Sequence, residues 1–256
     1  MRCVGGVVAA GFLLAAGSFV GVDSAVALDG PGGHDLDRYL LFDASEQHSE
    51  RFLLFSGFDL WRNGGSAHGG LLWSPGGLAK EGFTLKLLVA GGIYRYNSAG
   101  TTVTGRYALT SAMAGWRFKG NGLDVTLFAG PDFQTHRLTP DDLANQLRGD
   151  QIGARVGGDL WYQPNAAFMT TVSVSFSTIG LNYWSRAAGG WHALGLLWIG
   201  PEVLALGGGS YHQFRAGMHV TGLRTWMFEW SGGFGYARDS DNRDGLYGRF
   251  GLLTKF

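Results

Sequence analysis

From Arg51 to Phe256 apolar and polar residues alternate with a period of two, the spacing that puts successive side chains on opposite faces of a strand. In 83–96, FTLKLLVAGGIYRY, Phe83, Leu85, Leu87, Val89 and Ile93 share one parity, and Thr84, Lys86 and Tyr94 the other. The final stretch, GLYGRFGLLTKF, sets Leu246, Phe250, Leu252 and Phe256 against Tyr247, Arg249 and Lys255. Similar segregation puts Phe52, Leu54, Phe58 and Leu60 opposite Asp59 and Trp61, and Leu123, Val125 and Leu127 opposite Asp124, Thr126 and Asp132. Ile152, Val156, Leu160 and Tyr162 oppose Arg155, Asp159 and Trp161; Phe214, Met218 and Val220 oppose Gln213, Arg215 and His219. Phe228, Trp230, Phe234 and Tyr236 oppose Glu229 and Ser231. In 101–118 the same rule puts Val103, Tyr107, Leu109 and Met113 on the apolar face and Thr104, Arg106 and Thr110 on the polar one.

Turn sequences punctuate these runs. Asn63-Gly64-Gly65, Lys119-Gly120-Asn121-Gly122 and Gln163-Pro164-Asn165 hold residues that accept turn dihedrals. The pattern predicts twelve strands, most of about 10–14 residues, near the 9–11 that a tilted strand needs to cross a bilayer core. An even number of strands whose last closes on the first, near 51–62, gives an all-β, antiparallel, up-and-down transmembrane β-barrel over 51–256. The alternative is a soluble sandwich or lipocalin-like barrel. Twelve long strands exceed the usual five to six residues of soluble ones, and sparse, balanced charge suits a confined lumen better than a solvent face. With both ends in the periplasm, residues 134–150 form a long extracellular connection, and Pro75 to Gly82 is the longest periplasmic turn. Within that connection, Thr139 as N-cap, Pro140 at the first position and Asp142 at the third predict a short helix.

Upstream of Arg51 the pattern changes. Arg2, an uncharged run from Val4 to Val22 and the small-x-small Ala25-Val26-Ala27 read as a signal peptide over 1–27. The run is long enough to anchor in a membrane, but its Gly/Ala character and the adjoining A-x-A favour cleavage near Ala27. Residues 28–50 are polar and acidic without alternation, a periplasmic lead-in; His34 and His48 there read as solvated side chains. The single cysteine, Cys3, lies in the signal, so the mature chain needs a source of stability other than disulfides, and barrel closure is one.

Composition sharpens this reading. The 44 glycines among 256 residues are more than twice the usual share of about 7%, while charged residues make up only 16%. Net charge is zero and no basic patch stands out, so no nucleic-acid partner is expected.

Several blocks together resemble one family: 56–96, YWSRAA (183–188), IGPEVLALGG (199–208), QFRAGMHVTGLRT (213–225) and 228–256. Their order along the chain is similar to that of the BcsS family, exported proteins associated with bacterial cellulose biosynthesis. The resemblance implies an outer-membrane barrel that assists cellulose synthesis, secretion or surface display, and it brings no catalytic residue set. The implied partners are outer-membrane lipid, the barrel assembly machinery, a cellulose chain and the cellulose secretion machinery; no cofactor is implied.

Candidate contact residues for a β-glucan are the charged and flat aromatic side chains assigned to the lumen: Asp59, Trp61, Lys86, Arg106, Asp124, Arg155, Asp159, Trp161, Arg215, Glu229 and Arg249. Aromatic faces stack on pyranose rings and carboxylates accept hydroxyl hydrogen bonds. The competing account is that these charges pair across strands and fill the barrel, since buried charge needs partners whatever the function. Twelve strands lie between filled and open barrels, which leaves pore width open. Phe256 is the candidate assembly signal. A lipid-modifying enzyme would need Ser210, His212 and Glu202 to converge, although the parity of His212 points it at lipid; a general small-solute pore is the other rival. His68 and His219 read as lumen residues, His136 and His192 fall in connections, and no spacing suggests a metal site. Trp73, Tyr183, Trp184, Trp226 and Trp230 read as interfacial girdle aromatics.

Overall fold

The computed structural model describes residues 50–98, 100–209 and 211–256. The expected signal peptide over 1–27 and the lead-in, except Glu50, lie outside them. Twelve antiparallel strands follow one another around a closed barrel: β1 (Phe52–Trp61), β2 (Gly64–Trp73), β3 (Gly82–Ser98), β4 (Thr101–Gly120), β5 (Leu123–Thr139), β6 (Gly149–Asn165), β7 (Phe168–Ser177), β8 (Asn182–Ala193), β9 (Leu197–Gly208), β10 (Tyr211–Thr225), β11 (Phe228–Asp239) and β12 (Asp244–Lys255). Each strand pairs with its sequence neighbours, and β1 pairs with β12 from Leu53↔Lys255 to Trp61↔Tyr247, so no sheet edge remains.

The two faces divide largely as the alternation predicts. Leu60 and Leu127 expose 55% of their surface and Leu246 76% on the outside, whereas Asp59, Thr126 and Tyr247 beside them are buried inside. Large apolar side chains spread this freely around a closed barrel match the outward apolar band of membrane-spanning barrels. Tight turns match their residues: Asn121 and Gly122 carry φ of 34° and 78° between β4 and β5, the left-handed values that Asn-Gly tolerates.

Strand β4 reverses its expected parity. Val103, Tyr107, Leu109 and Met113 are buried inside, and Thr104, Arg106 and Thr110 lie on the outer face. The physical reason is an apolar interior. Leu53, Leu72, Leu88, Phe128, Trp184 and Leu204 belong to one buried cluster that joins opposite walls of the cylinder, so β4 has apolar neighbours on its inner side too. The long connection is also shorter than expected. Strand β5 continues to Thr139 and β6 starts at Gly149, leaving nine residues, 140–148, with turns and bends but no helix. His136 is consequently an interior residue of β5 and His192 lies in β8.

Candidate functional site

Inside the barrel, polar side chains meet across strands that are not neighbours. Asp132 on β5 receives hydrogen bonds from Arg155 Nη2 at 2.7 Å, from the Ser111 and Ser177 hydroxyls, each at 2.6 Å, and from Gln134 Nε2 at 2.8 Å. Such saturation is what a fully enclosed carboxylate requires. Glu202 on β9 is held by Arg186 Nε at 2.9 Å, Arg249 Nη2 at 2.7 Å and the Tyr247 hydroxyl at 3.0 Å. Gly233 on β11 makes room for this group, since a Cβ there would collide with Glu202 Oε1. Arg215 spans from β10 to Asp59 on β1, donating to both carboxylate oxygens at 2.7 Å, with its guanidinium 5.3 Å from the centre of the Tyr247 ring. Lys86 on β3 reaches Asp159 on β6 at 2.9 Å, with its ammonium 4.7 Å from the Phe128 ring centre. Nearer the end that carries the C-terminus, Asp124 pairs with Lys119 at 2.7 Å and Arg117 at 3.5 Å, and Glu229 with Arg224 at 3.3 Å.

Ten of the eleven candidate lumen residues therefore face inward: Asp59, Trp61, Lys86, Asp124, Arg155, Asp159, Trp161, Arg215, Glu229 and Arg249. Arg106 is the exception and is exposed on the outer face of β4. The inward aromatics do not form one platform. Trp61 ends β1 at the rim opposite the C-terminus, whereas Trp161 lies near the other rim, edge-on to Trp198 at 6.4 Å. Their neighbours Asp59 and Asp159 are each occupied by a cation.

Glu202, Arg186, Asp132 and Arg117 were absent from the sequence-derived set yet sit at the centres of these groups. Trp184 is also buried inside, not at an interface, because β8 turns its even-numbered residues inward. Tyr183, Trp73 and Trp230 take the outward parity, and Trp226 is exposed in the β10–β11 turn.

The rim opposite the C-terminus is partly covered by residues 140–148. Tyr96 donates to Asp142 at 2.9 Å and accepts from Asn145 Nδ2 at 2.8 Å, while Leu147 packs on Ile179 of the β7–β8 connection. Slight desolvation pushes the Asp142 carboxyl up, but hydrogen bonds from Tyr96, Ser98 and the Ala144 N–H outweigh it and hold the group below its ordinary value. A depressed folded-state value contributes stability above the unfolded value, about 3.9, and loses it as pH falls through the folded value. Acidification from pH 6 to pH 3 is thus expected to loosen this segment selectively, read as lower protection factors over 140–148, after correction for the intrinsic pH dependence of amide exchange, with those of β1 and β12 unchanged. Equal protection of 140–148 at both values would contradict the Tyr96–Asp142 tether.

A family model, "Cellulose biosynthesis protein BcsS", matches residues 53–256, which takes in all of the barrel but the first residue of β1. The chain belongs to this family. Among solved structures, this BcsS-family barrel is similar to a KdgM porin (12% identity, 80% of this chain and 99% of that one covered, TM-score 0.43). It is similar also to LpxR from Salmonella typhimurium (10% identity, 80% and 100% covered, TM-score 0.47). A third is the translocator domain of the autotransporter NalP from Neisseria meningitidis (11% identity, 83% and 90% covered, TM-score 0.44). No curated protein matches the chain.

Of the residues weighed for hydrolytic chemistry, His212 and Glu202 point to opposite faces of the barrel wall. His212 faces outward and meets the Tyr183 hydroxyl at 3.0 Å, while Glu202 is enclosed by arginines on the inner face of the adjacent strand. Ser210 lies outside the described residues. Among the described residues no group of three His, Cys, Asp or Glu side chains is placed to hold a metal.

Proposed function

We propose that this protein is a non-enzymatic outer-membrane barrel that assists cellulose secretion or surface display from its exposed surfaces, without passing glucan through its interior. Membership of a cellulose-biosynthesis family supports the process, and the lipid-facing exterior supports the membrane. The observation that carries the non-conducting part is the set of ion pairs that cross the interior. Lys86–Asp159, Arg215–Asp59 and Arg249–Glu202 each join strands separated by two others around the circumference, with apolar side chains packed between them. A glucan chain threading this space would have to break several desolvated charge pairs, each costing about 3–5 kcal/mol to open.

The termini are assigned to the periplasm, so that the rim with Trp61 and residues 140–148 faces outward and is the surface offered to glucan or to export components. Planar-bilayer recording of the purified protein is expected to give no stepwise conductance, with or without cello-oligosaccharides. A channel that cello-oligosaccharides block would replace this reading with a glucan conduit. A channel indifferent to them would make the protein a general pore.

A further inference from the structure

The outer surface carries a feature that neither a filled barrel nor a glucan contact uses. On β4 and β5, Arg106 and Arg137 are direct cross-strand partners on the outward face, and Arg95 on β3 lies one diagonal step from Arg106. Directly opposed side chains in a sheet sit about 5 Å apart, and like charges there are destabilising. Among the described residues, none of these three guanidiniums has an ion-pair or hydrogen-bond partner; the outward acid nearest to them in register is Asp150 on β6. Three adjacent cations against one acid, Asp150, a diagonal step from Arg137, leave an excess of positive charge at the level where the apolar belt ends with Ile93, Ala108 and Phe133, and call for an anion from the membrane.

A groove for the rest of such a molecule begins beside them. The first outward residues of β2 are Gly65, Ala67 and Gly69, a low floor between Phe58 and Leu60 of β1 and Val89 and Ile93 of β3. The floor opens as a cavity of about 660 Å³ whose lining includes Leu60, Ala67 and Ile93, with Arg62 and Arg95 at its head. A second cavity of about 570 Å³, lined by Leu54, Gly69, Leu71 and Leu87, continues it toward the C-terminal end. The opposite rim is different: Trp73, Phe83, Trp116, Phe118, Tyr162 and Phe168 face outward there. Along β3 to β5 the barrel thus presents arginines at one rim and aromatic rings at the other.

We propose that this surface is a binding site for a phosphorylated, multiply acylated glycolipid of the outer leaflet. Its phosphate is taken by Arg62, Arg95, Arg106 and Arg137, and an acyl chain lies along the β2 groove. Planar guanidiniums match phosphate oxygens in pairs, and the small residues of β2 leave the depth that an acyl chain fills.

The test uses the full mature chain purified in detergent and titrated with lipid A carrying its phosphates, with retention of bound lipid read by native mass spectrometry. Arg106→Gln with Arg137→Gln, and separately Ala67→Leu with Gly69→Leu, are each expected to weaken half-saturation by about tenfold or more. These positions face outward, and a Cβ at Gly69 meets only ordinary contacts. Retained heat-modifiable gel mobility therefore certifies that the variants are folded. Lipid A stripped of phosphate is expected to bind as weakly to wild type as the intact lipid binds to the arginine variant. Unchanged binding by both variants, equal binding of the dephosphorylated lipid, or displacement of the lipid by millimolar inorganic phosphate alone would each overturn the proposal.

Discussion

Replacing Glu202 by alanine is expected to destabilise the folded barrel by about 3–5 kcal/mol, the usual consequence of leaving buried partners of opposite charge uncompensated. Two guanidiniums, Arg186 and Arg249, converge on that one carboxylate, and both are almost fully enclosed, at 1% and 5% exposure. Without it, two cations and the Tyr247 hydroxyl lose an acceptor inside a lumen that is otherwise packed. Glu202→Gln keeps an acceptor oxygen but not the charge, so it should fall between wild type and alanine. Removing the whole set together, as Arg186→Met, Glu202→Leu and Arg249→Met, is expected to cost far less than the single alanine. Burying charge carries a desolvation penalty that apolar residues of similar size avoid. Urea midpoints of the refolded protein in detergent micelles would measure all three. A shift under 1 kcal/mol for Glu202→Ala would mean that water reaches the arginines, and the filled interior on which the non-conducting reading rests would fail with it.

That interior also explains where the sequence was readable. Alternation reveals that a strand has two faces, but it names the inner one only if the inside is polar. It worked for β1, β5 and β10, where Asp59, Asp124 and Arg215 mark the lumen. It failed for β4, where Tyr107, Leu109 and Met113 fill the core and the outer face carries Ala108, Thr110, Ala112 and Ala114. Arg117 and Lys119 share the parity of Met113 and form the Asp124 group, a signal near the end of the strand that the more numerous apolar positions outweighed. The 134–139 segment reads as a loop because neither face of QTHRLT is apolar outside the membrane belt, yet its backbone keeps pairing with β4 and β6. Glu202 stood alone among apolar residues of both parities in IGPEVLALGG, and its partners lie 16 and 47 residues away in sequence. Local spacing cannot disclose a contact that only barrel closure creates.

Phe256 finishes one end of the β1–β12 seam. Arg51 N–H and Phe52 N–H both donate to the Phe256 carbonyl at 2.9 Å, Phe256 N–H donates to the Phe52 carbonyl at 3.0 Å, and the two rings stack at 5.5 Å. Deleting Phe256 removes those bonds and the ring contact at one end of the β1–β12 seam. The expected loss is about 2–4 kcal/mol, from net hydrogen bonds of about 1 kcal/mol each and burial of part of an aromatic ring. Phe256→Ala keeps the backbone bonds and loses only the ring, so its loss in vitro should be about 1–2 kcal/mol. The two variants separate the seam from the assembly signal. If the terminal aromatic serves only the seam, membrane-inserted yield in cells should follow in-vitro stability, with the deletion worse than alanine. If the assembly machinery reads the aromatic, as we propose, Phe256→Ala should lower inserted yield in cells about as much as the deletion, while its stability in detergent falls only by the about 1–2 kcal/mol of the lost ring. Heat-modifiable mobility of the membrane fraction, set beside urea midpoints of the refolded variants, distinguishes these outcomes. Yields that merely track the midpoints would leave Phe256 a seam residue and nothing more.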